Sequence, residues 1–283
     1  MIGKEIRFSK IIQPDTGRTC IVPLDHAVTS GPIDGLSHVI QSIGRIGVEK
    51  TNAFVVHKGV LYQLEGNKKL LAGGNFLLHI SASTDLGGLA AHKCLVSSVE
   101  HAVRLGAIGV SVHVNLGNRY ESEMISDLGC IADTCYQWGM PVLAMMYVRN
   151  DEDQNANDWM KIAHAARIAQ ELGADIVKIA CPKQEQELGE IVEKVQIPVI
   201  ISGGEKMEDL QFLEYVDKAL KAGVSGISAG RNVFQSENPG RLVTWVSDLV
   251  HRRKTLEEIK MLMEMERYNE NADYQFILRK SKR

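Results

Sequence analysis

The sequence has no disulfide framework, no long apolar run and no dominant charge, and each absence removes a class of protein. Its five cysteines, Cys20, Cys94, Cys130, Cys135 and Cys181, are odd in number and contain neither a Cys-x-x-Cys pair nor a zinc-ligand spacing. That excludes a disulfide-stapled scaffold and points to a reduced, cytoplasmic setting. No stretch reaches the roughly 18 uninterrupted apolar residues that span a bilayer. The N-terminal MIGKEIRFSKII also lacks the apolar core of a secretory signal. A soluble protein without membrane contact is expected. Lys plus Arg number 32 and Asp plus Glu 35 among 283 residues, so the net charge of −3 gives no general attraction for nucleic acid. Any anion must be bound locally.

What the chain does contain is one unit repeated. With 45% hydrophobic and 24% charged residues it has ordinary globular composition. From residue 19 onward short β-branched runs alternate with longer segments of helical periodicity, the pattern of a parallel sheet built from βα units. The predicted strands are TCIVPLD (19–25), AFVVHK (53–58), FLLHIS (76–81), IGVSVHV (108–114), PVLAMMY (141–147), DIVKIA (175–180), PVIISG (198–203) and GISAG (226–230). Amphipathic helices are predicted between them, several ending at a glycine: Gly106, Gly139, Gly173 and Gly223. Eight such units predict a single α/β domain, a (β/α)8 TIM barrel, over residues 1–250. A charged helical extension is expected over 251–283, packed outside the barrel or at a subunit contact.

In such a barrel the chemistry stands at the carboxyl ends of the strands. Those positions hold Asp25 and His26, His57 and Lys58, His79, His113 and Asn115, Tyr147 and Arg149, Lys178, then Ser202, Gly203 and Gly204, and finally Gly230 and Arg231. Lys178 is the most informative. Alternation puts it on one face with Ile176 and Ala180 while Val177 and Ile179 point the other way, so burial of both faces buries the ammonium. Lysine is almost never fully buried without a partner. Desolvation lowers a lysine pKa and supplies the free amine that attacks a carbonyl; the alternative is an ion pair with a neighbour such as Asp25.

ISGG (201–204) and SAGRN (228–232) end the two strands where barrels often bind phosphate against a short helix, here NVFQ (232–235). Arg231 adds a charge there; tight turns are the competing reading of the glycines. His26, His57, His79 and His113 at four successive strand ends offer metal-capable nitrogens, but no short ligand motif accompanies them, so structural or substrate-binding roles are expected and no metal.

IVPLDHAVTSGPIDGL (21–36), AFVVHKG (53–59), VSVHVNLG (110–117), LAMMYVRN (143–150), HAARIAQELGADIVK (164–178), ISGGEK (201–206) and AGRNVFQ (229–235) closely resemble the archaeal-type class I aldolases. The resemblance implies Lys178 as a Schiff-base lysine needing no further cofactor, and Asp25 and Tyr147 as proton carriers. It places Ser202, Gly203, Gly204, Gly230 and Arg231 on a phosphate, with His26, His113 and Arg149 lining the substrate site. It implies small partners, a phosphorylated ketose donor and an aldehyde such as aspartate semialdehyde, or cleavage of fructose 1,6-bisphosphate. A homo-oligomer is also implied, since members form large rings, often decamers. One branch of the family transfers an acyl group to a thiol carrier, and a barrel that only binds phosphosugars is the reading from another class. Three segments depart from the family pattern: Asp25-His26-Ala27 for Asp-His-Gly, Tyr147-Val148-Arg149-Asn150 for Tyr-Pro-Arg-Gly, and Ile179-Ala180-Cys181-Pro182 after the lysine. They rim the site and bear on the second substrate.

Overall fold

The computed structural model describes residues 1–149 and 158–281, with side chains through residue 268; Asn150 lies outside the described residues. Eight strands pair in parallel: β1 (Thr19–Pro23), β2 (Ala53–Val56), β3 (Phe76–His79), β4 (Gly109–Leu116), β5 (Val142–Val148), β6 (Ile176–Ile179), β7 (Val199–Ser202) and β8 (Gly226–Ser228). Each lies beside its successor, and β8 pairs with β1 to close the barrel. The eight predicted strands are all present. Their ends move by a residue or two, and the trimming at β1 leaves Asp25 beyond the strand, at the N-cap of a short helix, His26–Ser30.

Period-two alternation sorts the strand residues into two cores. Ile21, Ala53, Val55, Leu77, Leu143, Met145, Ile176 and Ile200 point into the barrel. Their neighbours, among them Phe54, Leu78, Val110, Ala144, Val177 and Ile201, point outward beneath the helices. Both faces being apolar explains why the strands read as near-continuous hydrophobic runs. The helices end as predicted: Gly106, Gly139, Gly173 and Gly223 all take positive φ, and Gly139 sits in the left-handed region at φ 62° and ψ 38°.

Two features were not expected from the sequence. A helix over Ile2–Ile11 lies across the amino-terminal end of the barrel and inserts Phe8, Ile11 and Ile12 into the inner core. Lys4 pairs with Asp175 at 2.7 Å, and Arg7 donates to the Gly139 carbonyl at 3.1 Å. A small hairpin of Ser81–Ala82 and Cys94–Leu95 folds the segment after β3 back over the opposite end. At the carboxyl terminus a helix runs over Leu256–Ser281, tied to the barrel's outer helices by Lys260–Glu214 at 3.0 Å and Arg241–Glu266 at 2.9 Å. Among the described residues no helix is long and apolar enough to cross a membrane.

His251 clamps the lower rim. Its Nε2 faces the Asn52 Oδ1 at 2.9 Å and its Nδ1 the Thr16 hydroxyl at 3.1 Å, while Asn52 Oδ1 also accepts from the Cys20 amide at 2.8 Å. The Asn52 oxygen therefore calls for the Nε2–H tautomer, and Nδ1 accepts from Thr16. Burial first, and then the charges of Arg253 and Arg18, push the His251 pKa down to about 4. The unfolded chain, with the ordinary value near 6.5, binds a proton that the folded chain refuses, so stability contributed by this group falls as pH drops from 6.5 towards 4. His251→Gln is expected to flatten the decline seen by denaturant unfolding across that window, by about 1–2 kcal/mol; an unchanged slope overturns the assignment.

Candidate active site

The carboxyl end of the barrel collects polar side chains because the inner-face alternation continues past the apolar layers. Leu77, Leu143 and Ile176 form a floor. The next level carries His113, Met145, Lys178 and Ile200, which are cross-strand partners in register. One step higher on the same faces stand Asn115, Tyr147 and Ser202. Lys178 is 6% exposed and makes no hydrogen bond or ion pair within 4 Å among the described residues. The ion pair with Asp25, the alternative explanation of its burial, does not form.

Asp25 instead faces two histidines. Its Oδ2 lies 3.5 Å from the Nε2 of His79, whose Nδ1 contacts the Ser111 hydroxyl at 2.8 Å, and its Oδ1 lies 3.7 Å from the Nδ1 of His26. Burial works to raise the Asp25 pKa. The positive charge of Lys178 and those that His79, His26 and His57 take up below neutral pH outweigh it and hold the carboxyl well below the usual range, so it is a carboxylate at neutral pH. His79 is 3% exposed, and burial, only partly offset by Asp25, pushes it down to about 4. It is a neutral ring wedged between a hydroxyl and a carboxylate. The His57 ring meets it edge-on at 5.1 Å, and burial lowers the His57 pKa too.

Tyr147 lies across from this cluster, part-buried, its ring centroid 5.0 Å from that of His113 and 5.6 Å from the Arg149 guanidinium. The His113 Nε2 faces Asn115 Oδ1 at 2.9 Å. Burial, then the positive charge of Lys93, depresses its pKa strongly, so it too is neutral. Among the described residues no three His, Cys, Asp or Glu side chains converge to hold a metal ion.

The β7 and β8 ends form one loop pair. Arg231 donates to the Gly204 carbonyl at 3.1 Å, and Asn232, 1% exposed, donates to the carbonyls of Gly203 and Glu205 at 2.8 and 2.9 Å and accepts from the Met207 amide at 2.7 Å. Tyr215 donates to the Ser202 carbonyl at 2.7 Å. Gly204 has φ +71°, which excludes an ordinary side chain, and a Cβ on Gly230 would lie 2.6 Å from the His26 ring. The glycines thus bring the β8 end against His26, and through it Asp25. The helix predicted at 232–235 occupies Arg231–Phe234. A cavity of about 490 Å³ opens beside Asp25, lined by Leu24, Pro32, Leu36, His38 and His57 among others.

The predicted residues Asp25, His26, His113, Tyr147, Arg149, Lys178, Ser202, Gly203, Gly204, Gly230 and Arg231 therefore gather at one end of the barrel. Three residues of the same end escaped the sequence reading: Ser111, which orients His79; Asn232, which clamps the β7 loop; and Lys93, from the segment after β3. Ser111 sits two residues before His113 on the same strand face, a signal that alternation offers. Lys93 lies in a segment with no periodicity.

Comparison with known proteins sharpens this picture. A protein from Archaeoglobus fulgidus, named 2-amino-3,7-dideoxy-D-threo-hept-6-ulosonate synthase 1, is 39% identical over 259 residues, covering 92% of this chain and 95% of the relative. A 2-amino-4,5-dihydroxy-6-oxo-7-(phosphonooxy)heptanoate synthase from Streptomyces griseus is 37% identical over 254 residues, covering 89% and 92%. A solved archaeal fructose-1,6-bisphosphate aldolase, described with its catalytic lysine covalently bound to the carbinolamine intermediate, superposes with a TM-score of 0.77 at 26% identity, over 88% of this chain and 99% of that one. The model of the DeoC/LacD family aldolases matches residues 19–236. That match begins at the first residue of β1 and ends just past the short helix after β8, so it takes in every strand end described above, and the chain belongs to the DeoC/LacD aldolase family as an enzyme of that class.

Proposed function

We propose that this chain is a Schiff-base aldolase in which Lys178 attacks the carbonyl of a phosphorylated ketose donor and joins the resulting carbanion equivalent to a small aldehyde. The observation that carries this reading is a buried lysine without a hydrogen bond or ion pair among the described residues, on the strand next to that of Tyr147 and close enough for its charge to act on Asp25. The amine adds to the ketone, and the carbinolamine loses water to an iminium, an electron sink for the adjacent carbon. Asp25, ionised and facing neutral His79, takes the proton from that carbon. The enamine adds to the aldehyde, and the new alkoxide is protonated from Tyr147 or Asp25. Water then releases the product and restores the amine. Gly203, Gly204, Gly230 and Arg231, with Ser202, anchor the donor phosphate, so that remote binding orients the reacting carbonyl.

The product named for the Streptomyces relative narrows the partners by its carbon skeleton. With a ketone at carbon 6 and a hydroxyl at carbon 4, the aldol bond is that between carbons 4 and 5. The donor half is then the three-carbon ketose dihydroxyacetone phosphate, and the acceptor half a four-carbon amino acid aldehyde, aspartate semialdehyde. This is the pairing we assign to the chain, with no further cofactor. We read the chain as a cytoplasmic homo-oligomer with residues 251–283 as an appendage to the 1–250 barrel. Met261, Met265 and Tyr268 lie exposed on its helix, and light scattering that returns a monomer overturns the oligomer.

Borohydride with dihydroxyacetone phosphate should leave a stable mass adduct on Lys178, lost in Lys178→Met; a peptide map placing the adduct on another lysine sinks the assignment. Asp25→Asn and Tyr147→Phe should each lower kcat by about 10²–10⁴-fold, with the fold retained by circular dichroism. Arg231→Gln should raise KM for the phosphorylated donor by ~10-fold while sparing kcat, as loss of one charged contact remote from the reacting atoms does.

A further inference from the structure

One buried cation at the barrel mouth has no part in the steps above. Lys93 is 8% exposed, and its ammonium has one hydrogen bond, to the Ser83 hydroxyl at 2.5 Å, and no ion pair among the described residues. Three Nζ hydrogens with a single fixed acceptor leave two unassigned. The segment that carries it is pinned over the mouth from three sides. The His113 amide donates to Ser81 Oγ at 3.1 Å, Asn115 Nδ2 donates to the Ala91 carbonyl at 2.8 Å, and the Asp85 amide donates to the Thr29 carbonyl at 3.0 Å. The Lys58 ammonium holds the far end through the Val96 carbonyl at 2.7 Å. Lys93 is thus a fixed group rather than a loop side chain that drifts into solvent.

Its charge acts on the same residues that surround Lys178. It is felt by His113, His79, His26 and His57, and burial lowers its own pKa against the pull of Asp25. Arg149 adds a second positive charge to its surroundings. The mouth therefore has two cationic poles. One is the Gly204–Arg231 end of β7 and β8, and the other is Lys93 with Arg149. A substrate with an anionic group at each end fits that division of charge.

We propose that Lys93 binds the carboxylate of the acceptor aldehyde, so that the chain selects aldehydes carrying a carboxylate at the end remote from the reacting carbon. This rests on the aldolase reading above. A carboxylate suits the site better than a second phosphate: the pole offers an ammonium, with the Ser83 hydroxyl beside it already donating to the Ala90 carbonyl at 2.8 Å, and without the paired glycines found at β7 and β8. Bound there, the carboxylate accepts the free Nζ hydrogens of Lys93 and supplies the counter-charge that the buried ammonium lacks. Arg149, exposed at the rim and beside Tyr147, attracts the same group during entry.

The test is calorimetric titration of the full chain with succinic semialdehyde, with butanal and with glyceraldehyde 3-phosphate, repeated on Lys93→Met and Ser83→Ala. The parent should bind the carboxylate aldehyde at least ~10-fold more tightly than butanal. Lys93→Met should bring that ratio to near unity. Ser83→Ala, which removes the hydroxyl that orients the ammonium and its bond to the Ala90 carbonyl, should lower it about threefold, and it carries the test if Lys93→Met fails to fold. A parent ratio near unity, or a ratio that both variants retain, overturns the proposal; so does a loss in Lys93→Met confined to glyceraldehyde 3-phosphate. Borohydride trapping of dihydroxyacetone phosphate on the same preparations separates the two readings. An adduct on Lys178 without discrimination at Lys93 defeats this inference alone, whereas discrimination without an adduct defeats the aldolase chemistry alone.

Discussion

A lysine buried on the inner wall of a closed barrel, with no carboxylate inside ion-pair distance among the described residues, sets the terms for everything around it. Burying a polar group costs free energy unless it is hydrogen-bonded, and Lys178 has neither hydrogen bond nor ion pair among the described residues to offset that. The barrel carries this cost because its lower layers are closely packed aliphatic side chains, anchored by strands that are apolar on both faces. Such packing supplies the surplus stability that a strained or under-solvated functional group draws on.

The surrounding histidines are easier to understand against that background. Four imidazoles around one carboxylate would make a cationic patch if protonated, yet burial lowers the pKa of all four. Two of these rings, His79 and His26, line the carboxylate at 3.5 and 3.7 Å, and the Asp25 Oδ1 and the His26 Nδ1 have no hydrogen-bond partner among the described residues. His79 is fixed from behind by Ser111. The close approach of Gly230 to His26 then connects the β8 loop to that same carboxylate through a single ring. A side chain at Gly230 would disturb both the proposed phosphate end and Asp25 together.

The eightfold repeat was legible because both strand faces are apolar and four helices stop at glycines that take positive φ. Lys178, Asp25, Tyr147 and the two glycine-ended loops were legible because the strand count assigns an end to each residue, and alternation then assigns a face. What alternation could not reach lies outside the repeat. The Ile2–Ile11 helix spreads its charged residues among apolar ones without a clean stripe, and only Phe8 and Ile11, with Ile12 just after it, commit it to the core. Lys93 stands in a segment whose course is set by side-chain-to-backbone bonds from Asn115 and by the two-residue pairing of Ser81–Ala82 with Cys94–Leu95. Neither kind of contact leaves a period in the sequence. Asn232 was visible as a residue, but its role depends on three backbone groups of a loop 25 to 29 positions earlier in the chain.

The helix that stops the amino-terminal end of the barrel also bears on the lysine nearer the other end. Phe8, Ile11 and Ile12 join the same inner core as Leu77, Leu143 and Ile176, the layer beneath Lys178. A side chain lost from that helix would be felt as slack under the functional lysine. The footing of the chemistry is thus set by a stretch of chain on the far side of the barrel from it.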